Sequence, residues 1–223
     1  FHQNLKPCEI ASQVTAMDAL AHDHFGAGVT NVVFMGMGEP MLNLANVVAA
    51  LDLMTADDAI GLTAKRITVS TVGLARRIRD FADLDLKVRL AVSLHAPDDV
   101  KRSRIMPVNR SEATDLTALR EALQHYYRTT GLPITYEYCM FAGYNDGEND
   151  ARALARVSGW VPSKVNLIMY NPVEGLDFQP SDEATLDRFL GILASKRVTV
   201  TVRRSRGQDI DAACGQLAIA EAR

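Results

Sequence analysis

Short apolar runs rich in valine and isoleucine recur along the chain, at Val29–Met35, Arg66–Thr71, Val88–Leu94, Ile134–Met140, Lys164–Met169 and Val198–Val202. Within each run hydrophobicity is nearly continuous rather than alternating, the pattern of strands covered on both faces in a parallel sheet. Between the runs the apolar positions shift to helical spacing. Ile10, Val14, Met17 and Ala21 share one stripe that stops at Gly26, and Leu44, Val47, Val48, Leu51 and Met54 form another behind the capping residue Asn43. Leu116, Leu119 and Leu123 precede Gly131; Leu154 and Val157 mark a further helix; Ser181 opens one carrying Leu186, Phe189, Leu190 and Leu193. Strand alternating with helix predicts an α/β fold of parallel strands joined by right-handed crossovers. A closed eightfold barrel takes about 250 residues. Six strands in 223 residues fit a partial TIM-like (βα)6 barrel, with a doubly wound sheet as the rival. No repeat, low-complexity tract or Pro/Gly-rich linker divides the chain, so one domain over 1–223 is expected.

Composition narrows the class. The chain is 48% hydrophobic and 23% charged, ordinary for a soluble globular protein. No apolar run reaches the roughly 20 residues of a membrane span, and no basic segment leads into an apolar core as a secretory signal would. A cytoplasmic protein without membrane contact is therefore expected. The net charge of −3 weakly opposes a nucleic-acid partner. Local basic clusters at Lys65-Arg66, Arg76-Arg77-Arg79, Lys196-Arg197 and Arg203-Arg204-Arg206 are read first as solvated faces. The three cysteines, Cys8, Cys139 and Cys214, lie far apart with no Cys-x-x-Cys pair, so no metal site is expected within this chain.

In parallel α/β folds, ligands sit at the C-terminal ends of the strands. The first run ends in Gly36-Met37-Gly38-Glu39-Pro40, where glycines permit close backbone approach or positive φ and a carboxylate can accept from an ammonium group. A plain βα turn with a solvated Glu39 is the competing reading. The next ends are Ser70-Thr71-Val72-Gly73 and Ser93-Leu94-His95-Ala96-Pro97, and a later one is Asn171-Pro172. Singly these are weak: a serine at a strand end bonds backbone, and His95 can be a satisfied, half-buried imidazole. Polar strand ends converging on one face argue for a small-molecule pocket. Near the C-terminus, Arg206-Gly207-Gln208-Asp209-Ile210-Asp211-Ala212-Ala213-Cys214-Gly215-Gln216-Leu217 places a cysteine between small residues at a helix start, where a thiol can be exposed and activated. Cys8 and Cys139 are expected to be small core hydrophobes.

These motifs, with Asn145-Asp146 and Asn166-Leu167-Ile168, resemble the radical S-adenosylmethionine (SAM) dual-specificity methyltransferases of ribosomal and transfer RNA, from about Asn4 to Leu217. The resemblance implies addition of a methyl group to C2 of an adenine in 23S rRNA and tRNA. A C8-methylating relative and a degenerate barrel that binds SAM or RNA without chemistry are the alternatives. It implies that Gly38 and Glu39 hold the methionyl amino group of SAM, that Ser70, Ser93, Leu94, His95 and Asn171 line the rest of its site, and that Cys214 carries the methyl group. It further implies a [4Fe–4S] cluster held by a Cys-x-x-x-Cys-x-x-Cys loop of which Phe1 would be the closing residue. On that expectation the cluster ligands, the first barrel strand and an RNA-holding N-terminal domain lie outside this chain, which alone would be inactive. An electron donor such as flavodoxin or ferredoxin and a monomeric state are the remaining expectations.

Overall fold

A computed structural model describes residues 3–56, 61–111, 114–172 and 177–203. Six parallel strands form one sheet: β1 (Val32–Phe34), β2 (Ile67–Thr71), β3 (Arg89–Ser93), β4 (Ile134–Met140), β5 (Ser163–Met169) and β6 (Val200–Arg203). Their spatial order is their chain order. That order removes the doubly wound rival, whose strand sequence reverses at a switch point. The sheet is a half-barrel, with its helices as the outer layer.

The helices are α1 (Pro7–Phe25), α2 (Leu44–Thr55), α3 (Ala75–Asp83), α4 (Asp99–Ile105), α5 (Val108–Ser111), α6 (Leu116–Thr130), α7 (Glu148–Ser158) and α8 (Glu183–Ser195). Their ends follow from local chemistry. Gly26 and Gly131 adopt left-handed φ and stop α1 and α6, as their positions in the sequence predicted. The carboxylates of Asp98, Asp115 and Asp182 cap α4, α6 and α8 by accepting from the third backbone N–H beyond each. Asp182, not Ser181, thus caps α8. Asn43 precedes α2 without capping it through its side chain; the amide donates to Leu5 O and tethers the approach to α1. Helix α3 escapes the sequence pattern because Arg76, Arg77 and Arg79 interrupt its few apolar positions. Ala75, Ile78, Phe81 and Ala82 still form its buried face.

Alternate residues of every strand divide the sheet into two unlike faces. Ile67 and Val69, Leu90 and Val92, Ile134, Tyr136, Tyr138 and Met140, and Val165 and Leu167 point into the helical layer and join one continuous core. Aromatic pairs tie sheet to helix: Tyr138 meets Phe189 of α8 at a centroid distance of 5.8 Å. Burying side chains of this size stabilises by about 1.5–3 kcal/mol each. The residues between them face the inside of the half-barrel and are largely polar: Ser70, Arg89, Ser93, Thr135, Glu137, Lys164, Asn166, Thr201 and Arg203. A closed barrel fills this space with apolar layers. Here it is an open trough lined with hydrogen-bonding groups.

Two expectations need correction. Cys8 is exposed and Cys139 only partly buried, so neither is a fully buried core hydrophobe. Helix α1 holds no buried residue, which leaves Cys8 in solvent. Cys139 stands on the trough side of β4, in register with Ile168. The stripe of α1 is also only half used: Ile10 and Val14 pack on the core, while Met17 remains 57% exposed.

Candidate functional site

The strand tips are held to one another by side chains reaching across loops. Gly38 has φ +87°, and nothing lies within 4 Å of where a Cβ would stand, so glycine is needed there for conformation rather than space. The turn it makes presents Glu39, whose carboxylate does two jobs. Oε1 accepts from Met41 N at 2.9 Å and starts the short 3-10 turn Pro40–Asn43. Oε2 accepts from Val72 N at 2.7 Å, beyond the end of β2. Glu39 is therefore not a merely solvated turn residue. It clamps the first tip to the second and keeps lone pairs for a further donor.

Val72 is gripped from its other side as well. The wholly buried Arg102 of α4 donates through Nη2 to Val72 O and through Nη1 to Thr114 O and Asn109 Oδ1. Gly73 lies against this guanidinium at φ +100°: a Cβ there would sit 2.9 Å from Nη2. Burial lowers the Arg102 pKa to about 10, partly opposed by Asp99, and the group keeps its charge.

At the third tip, Leu94 N and His95 N both donate to Glu137 O of β4, at 2.9 and 3.3 Å. Leu94 buries its side chain in the core, so it offers the tip its backbone path rather than a polar group. His95 adopts φ +54°, and its Nδ1 accepts from Cys139 N at 3.0 Å. Desolvation, helped by the nearby Arg102 charge, lowers the imidazole pKa to about 4. With Nδ1 accepting and the ring neutral, Nε2 carries the proton and is the face left for donation. Asn145 braces the same tip. It is fully buried and donates from Nδ2 to His95 O and Cys139 O, while its Oδ1 accepts from Phe141 N.

Ser70 and Asn171 are each 6% exposed; they stand near the C-terminal end of β2 and just beyond that of β5. Gly38, Glu39, Ser70, Ser93, Leu94, His95 and Asn171 are thus brought to one end of one sheet. Cys214 and the run around it lie outside the described residues. A separate hollow of about 510 Å³ opens beside α7 and α8 between Gly143, Asp146, Glu148, Asp182, Thr185 and Arg188. Its acidic lining suits it poorly to phosphate or carboxylate ligands.

No protein-family model matches the chain. Curated relatives do, over nearly all of it. The chain is 62% identical over 218 residues, 98% of its length, to a probable dual-specificity RNA methyltransferase RlmN of Salinibacter ruber. It is 46% identical over 222 residues, 97% of its length, to the dual-specificity RNA methyltransferase RlmN of Alkalilimnicola ehrlichii. Along nearly its whole length the chain is therefore similar to proteins named dual-specificity RNA methyltransferase RlmN. It spans about three fifths of those relatives, 59% of each. Among solved structures, a radical SAM methyltransferase from Sphaerobacter thermophilus superposes with a TM-score of 0.92 at 38% identity, covering 97% of this chain and 62% of that one. A domain of pyruvate-formate lyase-activating enzyme from Bacteroides vulgatus, 18% identical, superposes with a TM-score of 0.58 over 78% of this chain and 99% of that domain, and so shares the fold alone.

Within this chain, two groups that shape the site were not among the candidates the sequence offered. Arg102 and Glu137 shape the tips, yet neither lies in a recognisable strand-end cluster; Asn145 stood out only as part of the Asn145-Asp146 motif, without its bracing role. Arg102 alternates with other charges on a short helix, and Glu137 interrupts an apolar run, the one signal that marks it out. Among the described residues no group of three or more His, Cys, Asp or Glu side chains is placed to hold a metal ion.

Proposed function

We propose that the protein of which this chain is part is a radical SAM RNA methyltransferase that adds a methyl group to C2 of an adenine in 23S rRNA and tRNA. What carries this reading is identity of 62% along 98% of the chain to a probable dual-specificity RNA methyltransferase, supported by the gathering of polar strand tips at one end of the sheet. The trough and tips suit SAM by their chemistry. Glu39 has acceptor capacity for the methionyl ammonium beside the open backbone of Gly38. Ser70, Ser93, His95 through Nε2, and Asn171 offer donors and acceptors for the carboxylate and ribose, and Leu94 shapes the turn between them. SAM supplies the methyl group and, with a [4Fe–4S] cluster, the radical chemistry that adenine C2 requires, being a poor nucleophile. Among the described residues no set of side chains fits the cluster, whose ligands the resemblance implies to be a Cys-x-x-x-Cys-x-x-Cys loop. In this reading Cys214 carries the methyl group as a thioether.

A flavodoxin or ferredoxin as reductant, a monomeric state and a cytoplasmic location belong to the same proposal. No helix among the described residues is long and apolar enough to cross a membrane. The test is turnover by the complete, cluster-loaded protein with SAM and an rRNA transcript. Nucleoside mass spectrometry should find 2-methyladenosine with the parent protein and none with Cys214→Ala. Product at C8 would replace the regiochemistry, and full product with Cys214→Ala would remove the carrier role.

A further inference from the structure

Glu137 lies at the middle of β4 on the trough face, only 4% exposed. Its register neighbours are Ser93 on β3 and Asn166 on β5, and Asn166 in turn stands beside Thr201 on β6. The four side chains therefore form one row across the sheet, with strands about 4.8 Å apart. Three of them are joined in a single direction. Thr201 Oγ1 donates to Asn166 Oδ1, and Asn166 Nδ2 donates to Glu137 Oε1 at 2.9 Å. A chain of donors pointing one way ends on an acceptor, and polarisation along it strengthens the terminal site.

The second carboxylate oxygen is the anomaly. Glu137 Oε2 is buried and finds no hydrogen-bond partner among the described residues, the adjacent Ser93 hydroxyl included. An unmet buried carboxylate oxygen is destabilising, and folded proteins retain few of them. Burial raises the pKa of this acid, while the amide of Asn166 and the charges of Arg203 and Lys164 pull it back. Those two cations influence Glu137 from neighbouring strands, so an ammonium donor would meet repulsion where a neutral N–H or O–H would not. The backbone of the same residue accepts from Leu94 N and His95 N. The orphan oxygen is thus fixed to the strand that supports a tip assigned above to SAM.

We propose that Glu137 Oε2 accepts a hydrogen bond from a neutral donor of a nucleoside bound in the trough, either a ribose hydroxyl or the exocyclic amine of adenine. This rests on the SAM-binding reading of the strand tips and adds a residue on β4 that no strand-end motif contains. Glu137 is a binding residue in this account: it reads the nucleoside, and Asn166 and Thr201 hold it in position.

The experiment is calorimetric binding of 5′-methylthioadenosine to the complete, cluster-reconstituted protein and to Glu137→Gln, which preserves shape and replaces one acceptor with a donor. The same titrations with the 2′-deoxy, 3′-deoxy and 6-deamino analogues identify the donor. The wild type should bind one of the three about tenfold or more weaker than the parent nucleoside, the loss expected for a charge-assisted bond. Glu137→Gln should bind the parent weaker by a similar factor and no longer distinguish that analogue. A wild type indifferent to all three deletions overturns the proposal without recourse to any variant. Unchanged affinity in Glu137→Gln, or weakened affinity with the discrimination intact, overturns it as well. A wild type that binds no nucleoside contradicts the SAM-site reading itself and removes this proposal with it.

Discussion

Single residues at the tips carry charge states set by their surroundings, and His95 is the clearest. Its pKa falls from 6.5 to about 4 because the fold surrounds the ring and places Arg102 nearby. The folded state thus favours the neutral ring, whereas the unfolded chain takes up a proton near pH 6.5. The stabilisation from His95 is full above pH 6.5, declines as the pH drops toward 4, and levels off below it. Its size is about 3 kcal/mol at most, reduced by the ring's partial exposure. His95→Asn tests this, since asparagine tolerates the left-handed backbone and its amide oxygen can still accept from Cys139 N. Urea denaturation between pH 7 and pH 4 should show a shallower loss of stability in His95→Asn than in the parent; equal slopes would contradict the assignment. Glu39 illustrates a different point. Its two bonds to Met41 N and Val72 N mean that Glu39→Gln leaves one backbone N–H facing an amide donor. That variant should lose about 1–3 kcal/mol of stability, read as a lower melting temperature, besides any loss of ligand affinity.

At the scale of elements, the tips are rigid because neighbouring loops share hydrogen-bonded atoms. The second tip is pinned by Glu39 at Val72 N and by Arg102 at Val72 O, and Gly73 lets the guanidinium pass. Gly73→Ala places a methyl group 2.9 Å from Arg102 Nη2 at φ +100°, so backbone strain and steric conflict add. Gly38→Ala meets strain alone, because its surroundings are open. Strain of this kind costs about 1–3 kcal/mol. Chemical denaturation should find Gly73→Ala the more destabilised of the two, by about 1 kcal/mol or more, and equal values would mean that Arg102 moves aside freely. The elements also show what the sequence could convey. All six strands were legible within a few residues, because strands buried on both sides read as continuous apolar runs. Helix α3 was not, since three arginines mask its short buried face. The tip motifs were legible as glycines and polar residues following those runs. Arg102 and Glu137 were not, and Asn145 was legible only as a motif residue without its role, because these roles depend on partners distant in sequence, such as Arg102 to Val72, 30 residues away, and Asn145 to His95, 50 residues away.

Across the whole molecule, sequential strand order produces a half-barrel with an apolar helical side and a polar trough, and that asymmetry links fold to function. A closed barrel would fill the trough with side chains. This one instead offers Ser93, Glu137, Asn166 and Thr201 as a row of hydrogen-bonding groups beneath the tips. The most direct test is a crystal structure of the complete protein with S-adenosylhomocysteine bound. The account predicts the amino group of the ligand on Glu39 and Gly38, its nucleoside between the tips carrying Ser70, Ser93, His95 and Asn171, and the Cys214 sulfur facing the same space. A ligand seated in the acidic hollow beside α7 and α8, or on the helical side of the sheet, would contradict it.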